Sequence, residues 1–129
     1  MKKKYLIVVA DYYKIISNDL IKSAVKLIPK SSYFKIIKVP GVFEIPVTIS
    51  KNLKKYDAFI ALGCVIKGET PHFDFISQAT TNAIMNLSLE SNKPVGNGII
   101  TCLNMKQAKA RKNKGTEAAE AVISVLSQK

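Results

Sequence analysis

The stretch Ala58 to Ile66 reads AFIALGCVI and is followed by the turn-forming sequence KGETP at residues 67–71. A short, uncharged apolar run that ends at turn residues is typical of a strand buried in a parallel sheet. Thr70 can cap a following helix with Pro71 at its first position, and apolar spacing continues that helix to about Glu90. The stretch therefore predicts a buried strand that leads through a turn into a long helix. The predicted inward face of this helix comprises Ile76, Ala79, Ala83, Ile84 and Leu87.

The rest of the chain alternates between strand-like and helix-like segments. Further strands are predicted at Tyr5–Ala10, Tyr33–Val39 and Val95–Cys102. Further helices are predicted from a cap at Ser17 to about Leu27, over Glu44–Leu53, at a capping box formed by Asn104 and Gln107, and finally around Ala119, Val122, Ile123 and Leu126. This alternation predicts an α/β fold. We expect one layered domain over residues 1–129, with a mostly parallel four-stranded sheet flanked by helices.

Ligands bind to such sheets outside the carboxyl ends of the strands. Two side chains in the predicted loops at that edge are suited to a flat, polar ligand. An exposed Tyr12 would offer a ring for stacking, although the same residue could belong to the core. Glu44 can accept hydrogen bonds from a polyol or an amine, or it can simply complement the start of a helix.

The turn after Ile66 has the features of an anion site. Gly68 lets backbone amides approach a ligand, Thr70 offers a hydroxyl, and the start of the following helix carries a partial positive charge. The alternative is an ordinary capped turn. His72, the only histidine of the chain, lies in the first turn of that helix and can transfer protons near pH 7. A surface histidine without a task is the alternative there.

The chain is strongly basic, with 20 basic and 9 acidic residues and a net charge of +11. Its lysines are scattered and lack an aromatic-rich basic motif, so we expect a solvated surface and no nucleic-acid partner. Arg111 is the only arginine. Its planar fork suits bidentate binding of phosphate or carboxylate, which singles it out among the positive charges.

Two cysteines, Cys64 and Cys102, sit in apolar segments without metal-ligand spacing, which predicts reduced, packed thiols and no metal site. No apolar run is long enough to span a membrane, and the start of the sequence lacks the features of a signal peptide. We therefore expect a cytoplasmic protein that does not bind membranes.

Four segments resemble, in order and spacing, those of the lumazine synthase family. They are PGVFEIP (40–46), GCVIKGETPHFDFIS (63–77), NMKQAKAR (104–111) and NKGTEAA (113–119). The resemblance implies a flavodoxin-like subunit that condenses 5-amino-6-(ribitylamino)uracil with 3,4-dihydroxy-2-butanone 4-phosphate. The products would be 6,7-dimethyl-8-ribityllumazine, phosphate and water, and no cofactor is implied.

The resemblance also implies roles for single residues. His72 aligns with the histidine that transfers protons. The aminouracil would be bound by Tyr12, Val42, Phe43, Glu44, Val65, Ile66 and Asn97. The butanone phosphate would be bound by Gly68, Glu69, Thr70 and Arg111.

Three features depart from the family pattern. Asn97 stands where many members have a phenylalanine that reaches into the neighbouring subunit's site, which puts stacking from that side in question. The loop after Arg111 is several residues shorter than usual. The first predicted strand begins at Tyr5, almost at the start of the sequence, so we expect the extra N-terminal strand that many members lend to a neighbour's sheet to be missing. The family implies a homopentamer with sites at subunit interfaces, and the last two departures make an icosahedral shell a less favoured expectation.

Two other functions remain open at this point. A riboflavin synthase on the same subunit fold would disproportionate two lumazines, but it would not need the predicted phosphate site. A non-catalytic module that binds flavins or lumazines would keep Tyr12 and Glu44 as the sites for the ring and the ribityl chain.

Overall fold

The computed structural model describes residues 2–128 and contains a sheet of four parallel strands. Residues 1 and 129, the two ends of the predicted domain, lie outside the described part. The strands are β1 (Lys4–Ala10), β2 (Tyr33–Val39), β3 (Ala58–Ile66) and β4 (Val95–Cys102). Their spatial order is β2-β1-β3-β4, so β1 and β3 are central and β2 and β4 form the edges. The four predicted strands are confirmed, and every pairing is parallel.

Helices cover both faces of the sheet. They are α1 (Lys14–Val25), α2 (Ile45–Lys51), α3 (His72–Ser91), α4 (Met105–Ala110) and α5 (Lys114–Leu126), and a short 3₁₀ turn at Val42–Glu44 precedes α2. Side chains of α1, α4 and α5 share one buried cluster with the sheet, and side chains of α2 and α3 share the other. The result is a three-layer α/β fold of the flavodoxin-like kind, as predicted. Within residues 2–128, none of the helices is both long and apolar enough to cross a membrane.

Strand β3 explains why the layers form. Its residues alternate between the two buried clusters, with Ile60 and Leu62 facing α1 and α5, and Phe59 and Ala61 facing α2 and α3. All four side chains are fully buried. A strand buried on both faces gains apolar contacts along its whole length, which is why the continuous apolar run predicted this element so well.

The glycine Gly96 makes close packing of β4 against α5 possible. A methyl group added there would overlap the carbonyl group of Ala118. Glycine lowers the intrinsic strand preference of this segment, but the absent side chain allows the helix backbone to approach the strand.

Three local predictions were wrong. Ser17 does not cap α1, because the helix begins three residues earlier at Lys14 and the buried Ser17 hydroxyl donates to the carbonyl of Ala10 at 2.7 Å. Ala79 is exposed on α3, where Thr80 and Ile84 are the buried residues. Helix α3 begins at His72, one residue after the predicted Pro71.

Candidate active site

The strand order creates a crevice at the carboxyl ends of β1 and β3. These strands are neighbours, but β1 leads into α1 on one side of the sheet and β3 leads into α3 on the other. Ligands bind at such a point because the two connections diverge and leave the strand ends open. A cavity of about 650 Å³ lies there. It is lined by seven predicted site residues: Tyr12, Val42, Phe43, Glu44, Val65, Ile66 and His72.

Hydrogen bonds hold the backbone of the turn that carries Tyr12, although the Tyr12 side chain itself is exposed. The amide of Asp11 donates to the carbonyl of Val39 at 2.9 Å, and the hydroxyl of Ser17 holds the carbonyl of Ala10. The Tyr12 side chain is 73% exposed. An aromatic ring on a tied backbone at the rim of a cavity is suited to stacking on a flat ligand.

The carboxylate of Glu44 uses part of its hydrogen-bonding capacity within the chain. The amide of Gly41 donates to Oε1 of Glu44 at 3.0 Å, and the Thr48 hydroxyl donates to the Glu44 carbonyl at 2.9 Å. The first bond holds the carboxylate against the 3₁₀ turn, and the second holds the backbone of Glu44. A carboxylate has about four acceptor positions, so the group can still accept hydrogen bonds from a ligand in the cavity.

Gly63 lets the loops around the cavity converge. A Cβ atom at this position of β3 would lie 2.7 Å from Cγ1 of Val42 and 3.1 Å from Cβ of Ala10. Both distances are shorter than ordinary contacts. The missing side chain therefore allows the end of β1 and the 3₁₀ turn to close over β3.

The turn between β3 and α3 exposes three successive amide groups. Those of Gly68, Glu69 and Thr70 donate to no acceptor within residues 2–128. A Cβ at Gly68 would meet no atom within 4 Å, so the chain's own packing does not require glycine there. The hydroxyl of Thr70 accepts a long bond of 3.4 Å from the amide of His72. The turn can therefore offer several donors to an anion beside His72, whose side chain is exposed.

Arg111 lies at the outer edge of β4 and does not line the first cavity. Its Nη1 donates to the carbonyl of Thr101 at 2.9 Å and contacts Sγ of Cys102 at 3.9 Å. The carbonyl of Cys102 accepts the amide of Lys67 from the neighbouring connection, so the Thr101 carbonyl points away from β3. The guanidinium forms no ion pair within the described part of the chain. A second cavity of about 630 Å³ surrounds it.

Asn97 lines that second cavity and not the first. Its Oδ1 accepts the amide of Ile99 at 3.0 Å, which lies on the same free edge of the sheet. Of the predicted site residues, the structure thus separates Asn97 and Arg111 from the set around His72.

Both cysteines are free and buried, as predicted. Cys64 lies on β3 opposite Ile100, and Cys102 lies on β4 opposite Ile66, so the two are diagonal neighbours. Strand geometry then separates their Cα atoms by roughly 8 Å, which is too far for a disulfide. Burial, followed by the nearby Cys102 thiol, raises the pKa of Cys64 to about 12. Within residues 2–128, no cluster of three potential metal ligands occurs.

Comparison with known proteins agrees with this arrangement. A model of the 6,7-dimethyl-8-ribityllumazine synthase family matches residues 2–129. The chain belongs to this family. The enzyme of that name from Bartonella bacilliformis is 43% identical over 134 residues, which cover 96% of this chain and 88% of the relative. Those from Methylobacterium radiotolerans and Nitrobacter hamburgensis are each 40% identical, covering 98% and 94% of this chain and 82% of each relative.

Family membership confirms the resemblance seen in the sequence. The chain is a member of a transferase family of riboflavin biosynthesis, and its fold and central cavity fit that assignment.

Sequence reasoning missed several residues that line the two cavities. Tyr13 and Cys64 contribute to the first, and Thr101 and Lys114 to the second. Tyr13 stands next to Tyr12 in a loop already assigned to the ligand edge, so its position was a usable signal. Lys114 lies in a lysine run that was interpreted as a solvated surface.

Proposed function

We propose that this chain is a lumazine synthase that condenses 5-amino-6-(ribitylamino)uracil with 3,4-dihydroxy-2-butanone 4-phosphate. The observation that carries the proposal is the cavity at the β1/β3 crevice. It combines an exposed ring at Tyr12, a fixed carboxylate at Glu44 and the imidazole of His72, next to the unpaired amides of the turn. A flat substrate and a phosphorylated one can meet there.

The pyrimidine would lie against Tyr12 at the ends of β1 and β3. Val65 and Ile66 line the cavity at the end of β3, and their backbone groups would hydrogen-bond the polar edge of the ring. The segment of Val42, Phe43 and Glu44 would bind the pyrimidine and the ribityl chain. Glu44 suits the hydroxyl groups because its second carboxylate oxygen is not used by Gly41.

The phosphate group would bind at the turn that carries Gly68, Glu69 and Thr70. Successive amides and the adjacent start of α3 favour negative charge, and an arginine adds a bidentate partner. Arg111 of the same chain lies beyond β4 with its fork aimed at the free edge of the sheet. We infer that this arginine serves the phosphate site of a neighbouring copy. Asn97, on the same free edge, would face the aminouracil of that copy.

The chemistry requires proton transfers that His72 can provide. The 5-amino group attacks the ketone, and loss of one water gives an imine. Removal of a proton from the adjacent carbon drives elimination of phosphate, and the resulting enol becomes a ketone. The ribitylamino nitrogen attacks this ketone, and loss of a second water closes the ring. His72 accepts and returns the protons, while the fixed placement of two substrates contributes up to about 7–11 kcal/mol.

The copies would associate as a homopentamer. Helix α3 supports association because residues spaced like a coiled-coil seam are exposed along it: Phe75, Gln78, Asn82, Met85 and Leu89. Phe75, Met85 and Leu89 are 66%, 58% and 68% exposed. A shell of sixty copies is not part of the proposal, since the short connection between α4 and α5 departs from the family pattern. Free, buried thiols favour a reducing compartment such as the cytoplasm.

Activity is tested by mixing purified protein with both substrates and following the fluorescence of the lumazine. The control is the spontaneous reaction without protein. We expect product well above that background, and a rate about a hundredfold lower for His72→Ala, which is at the low end for general acid–base catalysis. Thr81→Ala, on an exposed part of the same helix, is the matched control and should be unchanged. If no product forms above background, the non-catalytic binding module is the better-supported function. Riboflavin formed from lumazine alone would instead favour a riboflavin synthase.

The shared site is tested by complementation. His72→Ala and Arg111→Ala subunits are each assayed alone and after co-expression. If a site takes His72 from one copy and Arg111 from the next, random mixing should restore roughly a quarter of the wild-type sites. Mixed assemblies without any recovery would contradict the shared site. Sedimentation should show about five times the 14.2 kDa chain mass, and a species near sixty times that mass would overturn the pentamer.

A further inference from the structure

Tyr13 is in direct contact with the exposed ring that is assigned to the pyrimidine. The rings of Tyr12 and Tyr13 have centroids 4.8 Å apart and are inclined by 83°, which is an edge-to-face pair. Both residues line the same cavity. An edge-to-face contact uses at most one face of the Tyr12 ring and leaves the other open to a ligand.

Unlike Tyr12, Tyr13 is anchored in the protein. It is half-buried and packs against the core cluster between the sheet and α1. Burial raises the pKa of its phenol, and the nearby Cys64 thiol and the Tyr12 phenol raise it further. The carbonyl of Tyr13 also accepts the amide of Ser17 at 2.9 Å at the start of α1. Its ring is therefore a fixed surface beside an exposed one.

We propose that Tyr13 is a positioning residue that holds the Tyr12 ring in the orientation needed to stack on the pyrimidine. The inference rests on the proposed synthase function. An exposed tyrosine without a lateral contact samples several rotamers, and fixing it on binding costs free energy. Contact with Tyr13 restricts these rotamers before the substrate arrives. Its effect should therefore appear in binding of the aminouracil and not in binding of the butanone phosphate.

Two simpler roles for Tyr13 make different predictions. If Tyr13 only fills the core, its truncation should lower the thermal midpoint without a selective change in one KM. If its hydroxyl binds substrate directly, Tyr13→Phe should behave like Tyr13→Ala. A positioning role predicts that Tyr13→Phe stays close to wild type, because the ring alone makes the contact with Tyr12.

The test is a double-mutant cycle with steady-state kinetics for both substrates. It uses Tyr12→Ala, Tyr13→Ala, the double variant and Tyr13→Phe, with Tyr33→Ala as the control at an exposed tyrosine of β2 outside both cavities. We expect Tyr13→Ala to raise KM for the aminouracil about three- to tenfold, with KM for the butanone phosphate unchanged. Tyr13→Phe should lie within about twofold of wild type.

The decisive comparison is made in the Tyr12→Ala background. If Tyr13 acts through Tyr12, removing it there should have no further effect on KM for the aminouracil. Equal effects in both backgrounds would overturn the proposal, as would equal losses for Tyr13→Phe and Tyr13→Ala. Tyr13→Phe keeps the test valid if Tyr13→Ala folds poorly. Wild-type protein without synthase activity would instead refute the proposed function, so the two failures are distinguishable.

Discussion

The two cavities of this chain are built in different ways. The cavity around His72 lies where β1 and β3 end, and its walls are tied by backbone hydrogen bonds and by the close approach of two loops at Gly63. The cavity around Arg111 lies on the free edge of β4, where side chains cover the strand. The walls of the first cavity are therefore held by the backbone of the fold, whereas those of the second are formed by side chains on the edge of the sheet.

Because of this difference, substitutions in the two cavities should affect stability and ligand binding differently. A change near Gly63 alters contacts within the core and should affect folding and the site together. A change at Arg111 removes an exposed side chain whose charge has no partner in the described chain, so it should affect ligand binding alone. The following predictions test that separation, beginning with the largest effect.

Gly63→Val should damage both the fold and the aminouracil site. The new side chain would overlap Val42 and Ala10, and overpacking of this kind costs about 1–3 kcal/mol. We expect a lower urea midpoint and a large loss of synthase activity. Gly68→Ala is the matched control for stability, since a Cβ there meets nothing. A Gly63→Val protein with wild-type midpoint and activity would show that the two loops are not tightly fitted.

Arg111→Ala should lower kcat/KM for butanone phosphate about 10- to 100-fold, because a hydrogen bond to a charged group contributes about 1.5–3 kcal/mol. Arg111→Lys should recover only part of this, since a lysine cannot bind in bidentate fashion. The urea midpoint should stay within error for both. Lys112→Ala removes the same charge from the next exposed residue and controls for net charge. Equal losses in Lys112→Ala and Arg111→Ala would contradict a specific phosphate contact.

Gly41→Ala should weaken aminouracil binding by a smaller amount. The added Cβ would lie 3.2 Å from Oε1 of Glu44, so the carboxylate must shift by a few tenths of an ångström. We expect KM for the aminouracil to rise about two- to fivefold, which is the scale of one weakened hydrogen bond. KM for butanone phosphate serves as the internal reference. A rise in both constants would indicate general damage to the cavity.

Cys64 should be almost inert in the folded protein. Burial and the nearby Cys102 thiol raise its pKa to about 12, so the thiol is protonated near neutral pH. Iodoacetamide at pH 8 should leave Cys64 unmodified and activity unchanged. The same treatment in urea should modify it, which mass spectrometry can confirm. Rapid modification in native buffer would show that the cavity wall opens.

The central elements could be predicted because their signals are local. Strand β3 was predicted with its observed bounds, since a strand buried on both faces has apolar residues throughout. The rule on strand ends predicted that Tyr12, Glu44 and His72 lie at one edge of the sheet, and all three line the first cavity. The order of strands and helices along the chain is enough to predict that the loops carrying these residues lie at the same edge of the sheet.

Other features depend on contacts that the local sequence does not contain. The local sequence predicts Ser17 as a helix cap. In the structure Ser17 lies one turn inside α1, and its hydroxyl donates a hydrogen bond to the carbonyl of Ala10 in β1. The rule on strand ends assigned Arg111 to the same edge as Thr70. That rule could not show that the guanidinium binds the outward-facing carbonyl of Thr101, because this depends on β4 being an edge strand of the sheet.

The position of Asn97 has a consequence for the chain at high concentration. An edge strand with unpaired amides and carbonyls is a template on which other chains can add strands and aggregate. On β4, the outward amide of Ile99 is taken by the Asn97 side chain and the outward carbonyl of Thr101 by Arg111. Two of the groups needed for strand addition are thus already satisfied, which makes this part of β4 a poorer template for an added strand.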